Sequence, residues 1–159
     1  MAILAALMLA TAVNGAELAL ELSGTAFEGG PAFEIKIGGE VVGTGTIDPI
    51  PPAGDSVHFL FEVDDTVLAR GGDLSIRLSN DRRAGPGADR NLHILFVRVN
   101  DHDFAPEDLR IVNRTGPVVR PIRQGRLELW TGDEVALGTA PRGGWIGKRL
   151  SGDPGRDGP

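Results

Sequence analysis

The chain has 159 residues and a formal net charge of −6, a length that suits one domain with a real core. It contains no cysteine, which excludes a disulfide scaffold, a thiolate metal site and a cysteine nucleophile. Residues 1–109 hold 7 Lys and Arg against 17 Asp and Glu, whereas residues 110–159 hold 9 against 5. The acidic part lacks the basic footprint that nucleic acid requires. The basic part reads as a solvated face complementing it, or as a contact for an anionic surface.

Residues 1–16 are uncharged and mostly apolar. The run is shorter than the ~20 residues that span a membrane, so no membrane partner is expected. Its length fits the apolar core of a signal peptide, and Ala10-Thr11-Ala12 is a small-x-small cleavage pattern. The expectation is a leader that directs a secreted or periplasmic location. A misassigned start or a short buried helix are the alternatives.

From residue 17 the hydrophobic period is two. Leu18, Leu20 and Leu22 alternate with polar or small residues in Glu17–Ser23. Phe33, Ile35 and Ile37 do so in Ala32–Gly38, and Leu74, Ile76 and Leu78 in Asp73–Ser79. Such alternation predicts antiparallel strands buried on one face. Ser56–Val63 and Leu92–Val99 are more continuously apolar, as expected of central strands. Arg126–Trp130 and Glu134–Leu137 are two further short candidates. Gly38-Gly39 between apolar runs predicts a tight hairpin. Gly29-Gly30-Pro31, Pro51-Pro52, Gly71-Gly72 and Gly85-Pro86-Gly87 mark other turns. No helical stripe stands out beyond the leader, although Ala105–Leu109 suits one helical turn with Pro106 near its start. The prediction is an all-β fold, a two-sheet antiparallel β-sandwich of jelly-roll type over residues 17–150. The tail 151–159, rich in Gly, Pro and Asp, is expected to be disordered.

The most informative stretch is Asn80–Ile94, N-D-R-R-A-G-P-G-A-D-R-N-L-H-I. Two aspartates and two asparagines crowd a glycine-rich loop between strands. If the flanking strands pair, Asp81 and Asp89 converge, and a divalent cation relieves their repulsion. Calcium takes about 6–8 oxygen ligands, some from main-chain carbonyls or water. The competing reading is a metal-free turn in which Arg82, Arg83 and Arg90 pair with the carboxylates. The residues of the loop alone leave both open.

The order of features resembles the calcium-dependent, xylan-binding carbohydrate-binding modules of family 60, which are related to family 36. The matching pieces are Phe27-Glu28-Gly29-Gly30-Pro31, Phe33–Gly39, Val42-Gly43, Leu74–Leu78, Asn80-Asp81, Asp89-Arg90-Asn91-Leu92 and Val99-Asn100. They cover about residues 17–105. The resemblance implies a small jelly roll that binds a β-glycan polysaccharide through calcium, with the metal accepting two neighbouring sugar hydroxyls. It makes Asp81 and Asp89 side-chain calcium ligands, with Asn80 and Asn91 in support. Arg90 becomes a loop-fixing or sugar-contacting residue.

Glycan sites usually offer aromatic platforms, yet the chain has no Tyr and two Trp. Trp130 reads as core beside Leu127 and Leu129. Trp145, in a glycine-rich loop, reads as a ligand platform or as a lid over the sandwich. Asn100-Asp101-His102-Asp103 and Asp64-Asp65 read as turns. Asn113-Arg114-Thr115 fits the N-glycosylation pattern. The three histidines lack the ligand spacing of a zinc site. No hydrolase or nucleotide-binding motif is present, and no catalytic residue stands out. Glu28, Glu34 and Glu62 are the carboxylates that a glycosidase reading requires, although Glu34 and Glu62 occupy polar strand positions.

Overall fold

The computed structural model describes residues 15–139, apart from 101, 114 and 131, together with Trp145. Residues 1–14 of the expected leader and the expected tail 151–159 lie outside that set. In chain order the elements are β1 (Gly15–Gly24), β2 (Ala32–Ile37), β3 (Glu40–Thr46), β4 (Val57–Asp64), helix α1 (Asp65–Arg70), β5 (Asp73–Leu78), β6 (Arg83–Gly85) and β7 (Ala88–Asp89). There follow β8 (Leu92–Val99), β9 (His102–Phe104), a 3-10 turn at Pro106–Asp108, β10 (Arg110–Asn113), β11 (Gly116–Val118), β12 (Ile122–Arg123), β13 (Arg126–Leu129) and β14 (Glu134–Thr139).

The strands form two antiparallel sheets. One has the order β12-β13-β8-β1-β4, with β9 also paired to β8. The other is β11-β10-β14-β5-β2-β3. This is the two-sheet sandwich that the period-two pattern requires. Leu18, Leu20 and Leu22 of β1 face Phe33, Ile35 and Ile37 of β2 and Leu74 and Ile76 of β5 in one core. Each of these side chains is almost wholly buried. Their polar alternates face out, which is how strict alternation separates a wet face from a dry one.

The continuous apolar run of β8 has a specific cause. Glu21 of β1 pairs with Phe96, but Leu22 pairs with Ile94, so Leu95 is an extra residue. That bulge switches the inward set from Leu92 and Ile94 to Val97 and Val99, all fully buried. The strand is central, between β13 and β1, as expected.

β4 is different. It is the edge of its sheet, and its burial alternates. Phe59 and Phe61 pack edge-on against Phe33 at 4.9 and 6.2 Å, while Leu60 is 64% exposed. An outward Leu60 between two inward phenylalanines made the strand look two-sided. Its neighbour β3 shows little apolar signal because glycine is needed there. A Cβ on Gly45 would lie 2.5 Å from the Phe33 ring.

The Gly38-Gly39 hairpin forms as expected, with Ile37 paired to Glu40 and both glycines at positive φ. Asp64-Asp65 is not a bare turn. The Asp64 carboxylate accepts the Thr66 N–H at 2.7 Å and caps α1, whose only buried residue is Leu68. One buried position is too few to give a helical stripe. The Asp64 carboxyl is held below its ordinary range by its hydrogen bonds from Thr66, the side chain's first and the main chain's second. Asn100 lies in a turn, although Asp101 is outside the described residues. Asn113 accepts from both the N–H and the hydroxyl of Thr115, which closes an Asx turn.

Trp145 belongs to the core rather than to an open platform. It is 2% exposed. Its indole N–H donates to the Gly72 carbonyl at 3.0 Å, its carbonyl accepts from the Asn100 side chain, and its ring meets Phe104 edge-on. It closes the sandwich end beside Gly72, at the start of β5, whereas Asn80 follows the other end of that strand. Six residues of strand separate the two by roughly 20 Å. Trp145→Phe is expected to cost about 1–3 kcal/mol by urea unfolding, because the Gly72 carbonyl loses its donor. Glycan binding should be unchanged, and a loss of binding at full stability would contradict this placement.

Candidate functional site

Three connections meet at the far end of the sandwich. They are residues 25–31 between β1 and β2, residues 79–91 between β5 and β8, and residues 130–133 between β13 and β14. Within 79–91 the chain folds back as the β6–β7 hairpin, with Arg83 paired to Asp89 and the Arg90 N–H bonded to the Arg82 carbonyl at 2.9 Å. Continued by one step, this register sets Asp81 beside Asn91 and diagonal to Asp89. Diagonal neighbours across an antiparallel pair stand roughly 7–8 Å apart, a span that two carboxylates can bridge through one cation.

Arg90 holds the hairpin to the neighbouring loop. Although charged, it is 7% exposed. Its guanidinium donates to the main-chain carbonyls of Phe27, Glu28, Gly29 and Asn80, at 2.7, 2.6, 3.2 and 2.6 Å. Glu28 and Gly29 take positive φ there, which turns their carbonyls onto one point. Arg90 is thus the loop-fixing residue, and burial leaves it no face to offer a sugar.

Asn80 is a second clamp. Its Oδ1 accepts the Ala32 N–H at 2.7 Å and its Nδ2 donates to the Gly30 carbonyl at 3.1 Å. Gly30 is required at that approach, because a Cβ would fall 1.8 Å from the Ile47 carbonyl oxygen. The side-chain oxygen of Asn80 is therefore used inside the protein, which sets it apart from the other candidate ligands. Thr25 is a third clamp that carries no sequence signal. Its hydroxyl donates to the Asp89 carbonyl at 2.9 Å and accepts the Asn91 N–H at 3.0 Å.

Asp89 and Asn91 open into one pocket of about 300 Å³, lined also by Arg83, Arg120, Glu128 and Trp130. Asn91 is largely buried. Its amide nitrogen donates to Glu128 Oε1 at 2.8 Å, which leaves the amide oxygen as its ligand end. Asp81 is half-buried at the base of the hairpin and does not line this pocket.

Trp145 takes the second of its two expected roles, the lid over the sandwich, whereas Trp130 is not a core residue. Trp130 is 41% exposed and stands over the pocket. Its main-chain N–H donates to the buried Asp133 carboxylate at 3.1 Å. Asp133 also takes a two-pronged pair from Arg120 at 2.8 and 3.0 Å. The Arg120 guanidinium lies 4.1 Å from the indole centroid, so the ring is backed by a cation and fixed in angle. The signal was in the alternation itself. Leu127 and Leu129 point inward, so Arg126, Glu128 and Trp130 point out.

Next to Glu128 is His93, 9% exposed, with Nδ1 at 3.4 Å from the Ser23 hydroxyl and Nε2 at 3.7 Å from Glu128. Burial keeps its pKa below the ordinary imidazole value, against the opposing pull of Glu128. The carboxylates of a glycosidase reading do not meet. Glu34, on β2, points out of one sheet and pairs with Arg77. Glu62, on β4, points out of the other, and Glu28 pairs with Arg82 at 2.6 Å. Among the described residues no helix is long and apolar enough to cross a membrane. No group of three or more His, Asp or Glu is gathered among them either.

A family model described as a calcium-dependent carbohydrate-binding module, xylan-binding (CBM60), matches residues 17–114. The chain belongs to this family. It is a carbohydrate-binding module, and its fold agrees with solved members. One is vCBM60 in complex with galactobiose, with 16% identity, a TM-score of 0.53, and coverage of 78% of this chain and 99% of that one. Another is the selenomethionine form of vCBM60, from work on circular permutation between two families of calcium-dependent carbohydrate-binding modules. It has 15% identity, a TM-score of 0.51, and coverage of 78% and 91%. The chain matches no curated protein.

Proposed function

We propose that this module binds a xylan-like β-glycan, without catalysis, through a calcium ion held at the 80–91 loop. The observation that carries the reading is the shared pocket of Asp89, Asn91 and the exposed indole of Trp130. The donor set is all oxygen, which suits a hard cation. The carboxylates of Asp81 and Asp89 are its anionic members, and the Asn91 amide oxygen is a neutral one. Asn80 supports the loop rather than the metal, because its oxygen already accepts from Ala32. When bound, calcium supplies open coordination positions for two neighbouring sugar hydroxyls. A vicinal diol on a rigid ring loses little freedom there. Trp130 covers the apolar face of the ring and Arg90 keeps the hairpin in register.

Within the loop, Arg82 pairs with Glu28 and Arg90 with four carbonyls, while Arg83 lines the pocket beside Asp89. The uncharged, apolar run at residues 1–16 fits export to where such polysaccharide is found.

Calcium titration tests the reading. A native state that binds the metal is expected to melt higher as calcium rises, by about 2.7 kcal/mol at a hundredfold excess over Kd. Retardation by xylan in native gels should vanish in EDTA and return with calcium. A melting point indifferent to calcium, with retardation that survives EDTA, would leave only the structural turn.

A further inference from the structure

A second pocket of about 310 Å³ adjoins the first on the outer face of the same sheet, lined by Thr25, His93, Arg123, Gln124, Arg126 and Glu128. Glu128 is the wall between them, since it lines both. Its carboxylate is engaged by Asn91 at 2.8 Å. Arg123 has no ion-pair partner among the described residues, and Arg126 has one neutral acceptor, Gln124 Oε1 at 3.3 Å. The Arg126 Nε–H is shut off from solvent and has no acceptor among the described residues. A buried donor left unmatched is costly, and in a pocket wall it marks where an acceptor belongs. His93 adds no charge near neutral pH, because burial favours its neutral form. In a chain of net charge −6, this pocket presents two guanidiniums against one carboxylate, that of Glu128.

We propose that this second pocket takes the carboxylate of an acidic sugar residue, a uronic acid, on the same glycan whose neutral ring occupies the Trp130 pocket. The planar fork of an arginine matches a carboxylate with two parallel hydrogen bonds. Turning the Arg126 guanidinium toward a bound carboxylate gives its Nε–H the missing acceptor. The shared Glu128 wall makes the two sites neighbours on one chain of sugars. The inference rests on the glycan-binding reading and specifies the substituent the glycan carries.

The test uses one polymer in two forms, a xylan bearing uronic acid groups and the same xylan after reduction of its carboxyls to alcohols. Calorimetry with calcium present should show the wild type binding the acidic form about tenfold tighter, with a gap that narrows as salt screens the charges. The double variant Arg123→Gln, Arg126→Gln should bind both forms equally, at the wild-type affinity for the reduced form. Arg123→Gln alone, at an exposed position, should remove part of the gap and stands in where the double variant folds poorly. Arg110→Gln, on the other sheet, should keep the full preference. A wild type that binds both forms equally overturns the inference and leaves glycan binding intact. So does a preference that Arg110→Gln abolishes, because the attraction is then a bulk charge effect. A wild type that binds neither form overturns the glycan reading, and this inference with it.

Discussion

Replacing Arg90 with Met is expected to destabilise the protein by about 3 kcal/mol or more and to abolish glycan binding. Arg90 is buried, and its guanidinium satisfies four main-chain carbonyls, three in residues 27–29 and one at Asn80. Hydrogen bonds to a charged group contribute about 1.5–3 kcal/mol each, and orphaned buried acceptors cost about 1–3 kcal/mol each. The carbonyls would partly recover by turning toward water, so the full sum is not reached. That turning is itself the functional defect, because it frees residues 27–29 from the hairpin that Arg90 joins them to. Arg90→Lys should fare little better. An ammonium has three donors on a flexible stem and cannot span a planar set of four acceptors. Urea unfolding and xylan gels read both effects. An Arg90→Met protein that still binds glycan would show that the hairpin stands without its clamp.

The strand pattern made most of the sandwich legible. β1, β2 and β5 follow their alternation, and the inward sets are those of the core. What the pattern hid had local causes. The bulge at Leu95 inserts one residue into β8, so alternation breaks while burial does not. The glycines of β3 are set by phenylalanine rings on other strands. Helix α1 buries one side chain and is announced only by its cap. At the candidate site, the D-R-N-L segment runs from β7 into β8. Arg90 and Asn80 hold the backbone, a use that depends on where carbonyls 27–30 arrive. Thr25 joins the site through an ordinary hydroxyl. Trp130 reads as core because it adjoins two leucines, but the parity of the strand turns it outward. For Trp145 the sequence leaves platform and lid open, and the hydrogen bond of its indole N–H selects the lid.

The separate roles of metal and aromatic face predict two losses of different kind. Asp89→Ala is expected to remove the calcium-dependent rise in melting temperature and reduce xylan binding at least a hundredfold, about 2.7 kcal/mol. Loss of the Asp89 carboxylate leaves Asp81 as the one anionic ligand of the proposed set, too little charge to hold the ion. Main-chain register should survive, because Thr25 holds residue 89 through its carbonyl. Trp130→Ala is expected to keep the calcium response in full and weaken xylan about tenfold, near 1.4 kcal/mol. In the proposed function it removes an indole that serves the sugar and not the metal, and Arg120 retains its pair with Asp133. Trp130→Phe should recover part of the affinity, since a smaller ring still offers an apolar face. Sugar and calcium can reinforce each other only if the diol binds the ion, so added xylan should tighten calcium binding in Trp130→Ala as in wild type, by a smaller factor. Calcium affinity that is blind to xylan in the wild type would mean that the metal only stiffens the loop and that the sugar is held by side chains.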